Sequence, residues 1–323
     1  MRHRSALVHL AVLVLLLAFP WGGDRLYSGF YVSLLTRVFI YGIMVLGYDL
    51  LGGYTGMISY GHAMFFGTGA YVAAMLLKHI TAWFWPPLIA AVLGCGLVAY
   101  LVGHLSIRTR HIYFVFLTFA FAQFFFVVAN SWEFVGAANG LAGVPKPMIA
   151  PGLDLSGKFK FYYFTLLLLI LAYLLARIIV SSAFGRILIG IRENEERTQF
   201  LGYNTNSAIR RVFVISGMYG GAAGALMAAH NSFASPMLYH PSVSGEVIMM
   251  TLLGGMGTLV GPLIGTAVII ILSDALSSWL AGAWMMMMGA VFALCVLYTP
   301  DGLVGLLHRF RQRSPGKVLH GRA

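Results

Sequence analysis

Long stretches of this chain contain no Asp, Glu, Lys or Arg, among them 38–48, 50–77, 79–107, 111–132, 212–245 and 247–273. A bilayer core about 30 Å thick takes roughly 20 helical residues to cross, and all but the first of these runs are longer than that. Such runs make the chain an integral, polytopic, all-α membrane protein. A soluble protein of 323 residues with 59% hydrophobic residues would expose more apolar area than water tolerates.

Net charge follows the same logic. The formal charge is +11, but the cations gather where a membrane chain keeps its cytoplasmic loops. They lie at Arg2 and Arg4, at Arg108 and Arg110, through 186–211, and in a tail holding Arg309, Arg311, Arg313, Lys317 and Arg322. That distribution accounts for the charge without nucleic acid. Cys95 and Cys295 both fall inside apolar runs and read as small core residues, not as a disulfide or metal pair. Arg2 and Arg4 before the apolar stretch 6–19 resemble a secretory signal, yet no A-x-A-like cleavage site follows, only Pro20, Trp21 and Gly22. An uncleaved first span is expected.

With the N-terminus inside, eight spans are expected at 6–22, 30–51, 57–78, 86–107, 111–130, 161–180, 211–230 and 279–299. The Gly/Pro-rich stretch 131–160 and the loop 230–244 then lie outside. The stretch 246–274 is interrupted by Gly254, Gly255, Gly257, Gly261 and Pro262. As one straight helix it would run about 40 Å and would leave the basic tail on the wrong side. A re-entrant pair of half-helices broken near GGMGTLVGP resolves both problems and brings Glu246 and Asp274 to one surface. Irregular backbone at membrane depth must be buried or line a cavity, so Gly254, Gly255 and Gly257 are expected to face the translocation path. A second interrupted stretch, 51–77, opens with the same Leu-Gly-Gly that recurs at 253–255, as in transporters built from repeats. The chain divides into a permease domain, 1–307, and a basic cytoplasmic tail, 308–323.

Most informative is SSAFGRILIGIRENEERTQFLGYNTNSAIRR, at 181–211, the one charge-dense segment between apolar spans. Gly185, Arg192, Glu193, Asn194, Glu195, Arg197 and Gly202 form a short charged helix and a glycine turn. A Glu193–Arg197 pair would add i,i+4 support of a few tenths of a kcal/mol. The interleaved Ile187, Leu188 and Ile191 suit a helix lying in a groove on another protein. By contrast, no catalytic cluster is present. The run 152–159 has the glycine and lysine spacing of a phosphate loop, but Phe159 stands where Ser or Thr must hold magnesium. The ten histidines show no metal-ligand spacing.

Polar groups within spans face the bundle interior, which nominates Tyr54, Thr55, Ser59, His62, Thr118 and Gln123 as path residues. The same groups could instead bond their own backbone or join helices, and for His62 both readings stand. Gly217, Gly220, Gly221 and Gly224 read as close helix packing, as does the run Met285–Met288. Arg37 lies inside the second span and about 18 Å along the axis from Asp49, too far for a direct pair; it snorkels outward or pairs with another helix.

GRILIGIRENEERTQFLGYNTNSAIRRVFVISGMYGGAAGALMA resembles the cytoplasmic loop and following span of ABC importer permeases of the branched-chain amino acid class. GYTGMISYGHAMFFGTGAY, HIYFVFLTFAFAQ, NGLAGVPKP and LLGGMGTLVGPLIG resemble further elements of that family, so the likeness covers about 40–305. The long loop before 161–180 points to the LivM-type subunit. Two departures bear on the solute: Ala137 follows Gly136 where the family often has a second glycine, and Tyr60 stands between Ser59 and Gly61.

The resemblance implies an importer of branched-chain amino acids or another small polar solute such as urea or an amide. It also implies a second permease subunit, two cytoplasmic ABC ATPases that use ATP and Mg, and an external binding protein. The chain itself then binds no cofactor, catalyses nothing, and lies in the bacterial inner membrane with both termini cytoplasmic. In that arrangement 181–211 couples to the ATPases, while 131–160 and 231–244 receive the binding protein. The rival is a self-sufficient secondary transporter or channel, for which Asp49, Glu246 and Asp274 are the only acids placed for ion coupling.

Overall fold

The charge-free runs become helices in the computed structural model, which describes residues 14, 16–20, 29–110, 112–150, 153–279, 283–298, 302, 303 and 305. The long helices are α1 (Phe30–Thr55), α2 (His62–His79), α3 (Trp85–Ser106), α4 (Ile112–Ser131) and α5 (Lys158–Ser181). Two short helices follow, α6 (Ala183–Glu193) and α7 (Glu195–Phe200), then α8 (Thr205–Asn231). The chain ends in α9 (Pro241–Gly254), α10 (Val260–Trp279) and α11 (Trp284–Tyr298).

Six of these, α1, α3, α4, α5, α8 and α10, are long and apolar enough to cross a membrane. The chain is a multi-pass membrane protein. Of the first expected span, 6–22, residues 14 and 16–20 are described and helical, and Tyr162 and Tyr163 of α5 donate hydroxyl hydrogen bonds to the carbonyls of Leu16 and Leu17. The side chains of Met285 and Cys295, and the basic tail, lie outside the described residues.

Burial sorts the helices into a centre and a rim. In α1 and α8, 72% of the most apolar window is buried, against 22% in α4 and α5. The central α8 packs on α1, α2 and α3, and glycines set the closeness. A Cβ on Gly221 would stand 2.7 Å from the Cβ of Cys95, and one on Gly224 would stand 2.8 Å from the Ala70 nitrogen. Cys95 is fully buried and donates its thiol to the Phe65 carbonyl, as a core residue.

The two glycine-interrupted stretches do break. In the first, Gly56 adopts a left-handed conformation after α1, and α2 starts at His62, later than the expected 57. In the second, α9 and α10 fold back on each other. A Cβ on Gly254 would collide with the Gly261 carbonyl, and one on Gly265 with that of Met250, so the two helices run antiparallel. The turn needs φ of 112° at Gly255 and 79° at Gly257, conformations open to glycine and costly for residues with a Cβ. Thr258 then caps α10, its hydroxyl accepting from the Gly261 N–H at 3.0 Å. With 14 residues, α9 is about 21 Å long, shorter than a full crossing. Glu246 and Asp274 line one cavity at the open end of this hairpin.

The loops sort to opposite ends of the bundle. At one end β1 (Leu141–Ala142) pairs antiparallel with β4 (Phe233–Ala234), and β2 (Met148–Ala150) with β3 (Leu153–Asp154). Lys146 closes the C-terminus of α8 by donating to the carbonyls of Ala229 and His230 at 2.9 and 2.7 Å. The loop expected outside, 230–244, is largely a packed element. Pro236, Tyr239, Pro241, Val243 and Ser244 are buried, and Tyr239 packs its ring against Tyr71 and Phe125. The Tyr239 ring sits directly against Gly67 of α2, where a side chain would leave it no room.

Candidate functional site

At the other end three capping residues cut 181–211 into separate helices. The Ser182 hydroxyl accepts from the Gly185 N–H, the Asn194 side chain from the Arg197 N–H at 2.8 Å, and the Asn204 side chain from the Ser207 N–H at 2.9 Å. These are the residue types that satisfy the orphan amides at helix starts. Because Asn194 ends α6 and begins α7, Glu193 and Arg197 do not form an i,i+4 pair within one helix. Gly202, with φ 88°, turns the chain toward α8.

The apolar stripe of α6 faces inward. Leu188 and Ile191 are buried and Ile187 is half-buried, packed on this protein's own α1, α5 and α8 and not on a separate partner. What points outward is Glu193, Asn194, Glu196 and Arg197, followed by Phe200 at 90% and Leu201 at 72% exposure. A large aromatic this exposed at a helix end in water is the mark of an interaction surface.

Two links fasten this helix pair to the membrane bundle. Arg110, in the connection between α3 and α4, grips Glu195 with its fork, at 3.0 and 3.2 Å from Nε and 2.9 Å from Nη2. Arg110 also donates to the Ile107 carbonyl and Asn206 side chain, and Thr205 donates to Glu195 at 3.0 Å. Burial alone would raise the Glu195 carboxyl pKa, but the hydrogen bonds and charge of Arg110, with help from Thr205 and Gln199, hold it below its ordinary value. The second link is Arg192, whose Nη1 donates to the Gly53 carbonyl at 2.6 Å.

Gly53 belongs to a buried node. Asp49, one turn earlier on α1, accepts from the Gly257 N–H at 2.6 Å through Oδ1 and from the Leu259 N–H at 3.1 Å through Oδ2. Gly257 in turn lies so close to Arg192 that a Cβ there would stand 2.7 Å from Nη1. Gly302 seats its backbone against Gly255. The end of α1 at Gly53 and the hairpin turn at Gly257 therefore meet here, with one arginine from α6 close to both. Beside the node lies a cavity of about 1080 Å³, lined among others by Thr55, Arg110, Arg192, Glu193, Asn194 and Glu195.

Of the path residues read from the sequence, Thr55, Gly255 and Gly257 lie at this node or its cavity, and the others lie elsewhere. His62 is fully buried, its Nε2 2.6 Å from the Ser216 hydroxyl and its ring edge-on to Tyr48. Ser59 and Thr118 are buried and bond backbone: Ser59 accepts from the Gly61 N–H at 3.2 Å, and Thr118 accepts from the Tyr60 N–H at 3.1 Å. Thr55 donates to the Leu51 carbonyl, Tyr54 is buried, and Gln123 is half-buried. Gly254 and Gly255 are buried inside the hairpin turn. None of these lines the second sizeable cavity, about 580 Å³, which Arg37, Tyr41, Glu246 and Asp274 border.

A bundle with two helix breaks clasped from below by a charged helix pair has clear relatives in sequence. The family described as "Branched-chain amino acid transport system / permease component" matches residues 30–296. The chain belongs to that family. It is 27% identical to the high-affinity branched-chain amino acid transport system permease protein LivM of Escherichia coli, over 93% of this chain and 75% of that protein, and equally so to LivM of Salmonella typhimurium. LivH of Salmonella typhimurium is 23% identical over 82% of this chain and 91% of its own length. No solved structure matches. The family membership covers both breaks, the α6–α7 pair and the node at Asp49.

Sequence reading did not assign Asp49, Gly53 or Arg110 to this site. The signal was present for Asp49, a lone acid in an otherwise uncharged half of α1, because a buried carboxyl needs hydrogen-bond donors close by.

Proposed function

We propose that this chain is the LivM-type permease subunit of an ATP-driven importer for branched-chain amino acids. It works with a second, related permease, two cytoplasmic ATPases that use ATP and Mg, and an external binding protein. The permease domain, 1–307, forms the path in a bacterial inner membrane, with both termini and the tail 308–323 on the cytoplasmic side. The α9–α10 hairpin is re-entrant, entering and leaving at the outer face. The binding protein docks over 131–160, where Trp132 and Phe134 are exposed.

The observation that carries this reading is the double fastening of α6–α7. A secondary transporter has no use for an outward-facing charged helix pair tied through Arg192 to the hairpin tip and through Arg110 to the base of α4. An ATPase that moves this pair pulls on both at once. In this reading Gly185 and Gly202 set the ends of the coupling segment, and Glu193, Asn194 and Arg197 present it.

Glu193→Lys tests the assignment, since Glu193 is exposed and its replacement leaves the fold alone. In proteoliposomes holding all subunits, ATP-dependent leucine uptake is expected to fall at least about tenfold, the scale of one lost interfacial charge contact. The thermal midpoint should stay within about 2 °C, as for other surface substitutions. Full uptake with full stimulation of ATP hydrolysis would remove the coupling role.

A further inference from the structure

The cavity at the open end of the hairpin, about 580 Å³, falls within the roughly 300–1,000 Å³ typical of small-molecule sites. Its wall carries Arg37 from α1, Glu246 from α9 and Asp274 from α10. The ion pairs among the described residues are Arg110–Glu195 and Lys160–Asp154, so Arg37 is in none of them. The opposite charges therefore face the same space without bonding each other. The rest of the lining mixes Met249, Ile269 and Ile270 with Tyr60 and the hydroxyls of Ser242, Ser273 and Ser277.

A charge at membrane depth is costly and is kept where it meets a partner or a solute. Opposite charges and aliphatic side chains lining one cavity complement a molecule with one carboxylate, one ammonium and an apolar branch. We propose that this cavity binds an α-amino-acid zwitterion with an apolar side chain, its carboxylate toward Arg37 and its ammonium toward Glu246 and Asp274. The inference rests on the importer reading and deepens it. Urea and amides carry no net charges to match Arg37, and a fatty acid brings nothing for the two carboxylates. The permease thus makes a second check on the solute after the binding protein.

Two measurements on the complete reconstituted importer decide the matter. In the first, Ser273→Cys, which lines the cavity, is labelled by a charged methanethiosulfonate reagent, over the background of the unsubstituted chain. Leucine should slow labelling about tenfold at a concentration well above its dissociation constant. Isoamylamine and 4-methylpentanoate, each lacking one charge, should not. Equal rates with and without leucine would overturn the proposal. In the second, Arg37→Gln and Glu246→Gln should each lower leucine uptake by at least about tenfold, the worth of one charge-assisted hydrogen bond; uptake above half in both variants overturns it. Binding-protein-stimulated ATP hydrolysis by the unsubstituted importer separates the two levels. With hydrolysis present and protection absent, the site falls and the importer stands. With both absent, both fall.

Discussion

Gly53→Ala is the most demanding test of the node beneath the hairpin. A Cβ at this position would lie 2.5 Å from the Gly257 nitrogen and closer still to Asp49 Oδ1. Neither neighbour can give way cheaply, since one is backbone and the other is a buried carboxyl holding the turn. Overpacking of this kind costs about 1–3 kcal/mol. Displacing Asp49 also releases the N–H groups of Gly257 and Leu259, now held at 2.6 and 3.1 Å, at roughly 1–3 kcal/mol for each buried donor left without a partner. The sum is on the order of 3–9 kcal/mol, a drop of roughly 10 °C in the midpoint of thermal unfolding.

The assay is thermal unfolding in detergent followed by loss of monodisperse protein, with Gly94→Ala as the control. Gly94 sits in α3 with nothing within 4 Å of its would-be Cβ, so alanine there is expected to stabilise by up to about 1 kcal/mol through helix propensity. If Gly53→Ala were as stable as Gly94→Ala, the contact between α1 and the hairpin turn would not exist as described, and the route from Arg192 to the hairpin would fail with it.

Three further outcomes are expected. Glu195 has its pKa depressed in the fold, so its contribution is present above the ordinary glutamate value and is lost as pH falls through the folded value; the stability gap between the unsubstituted chain and Glu195→Gln, about 1 kcal/mol for a partly exposed pair, should be widest near neutrality and close in acid, and a gap that widens in acid would contradict the Arg110 fork. Ser216→Ala removes the hydroxyl 2.6 Å from His62 Nε2 and should cost about 1–3 kcal/mol of stability while leaving the KM for leucine unchanged; a raised KM with unchanged stability would return His62 to the transport path. Gly224→Ala forces a Cβ into the backbone of α2 at Phe66 and Ala70, so at least about 1–3 kcal/mol of overpacking should appear as poor yield and a broadened profile in size-exclusion chromatography.

Much of the architecture was legible from residue order because membrane folding obeys local rules. Charge-free runs locate helices, cations locate one side, and glycines with proline locate the break at 254–262. The polar segment 181–211 stood out for the same reason, as did the small-residue face of α8. Those features depend only on what each segment carries along its own length.

Direction and partnership were different. The stripe Leu188–Ile191 looks alike whether it covers this protein's own helices or another's, and only the packed bundle turned it inward and left Phe200 exposed. The sequence marked 230–244 only as a loop, and α2 supplied the face that buries Tyr239. Arg37 and Glu246 are 209 positions apart in the chain, yet they border one cavity. Asp49 was visible as an isolated acid, but its donors, Gly257 and Leu259, come from a turn that exists only once α9 and α10 have folded back. Periodicity and composition determine which segments enter the membrane, since burial in lipid is a property of each segment. Which polar group meets which is decided by close packing between helices distant in sequence, and that appears only in the tertiary structure.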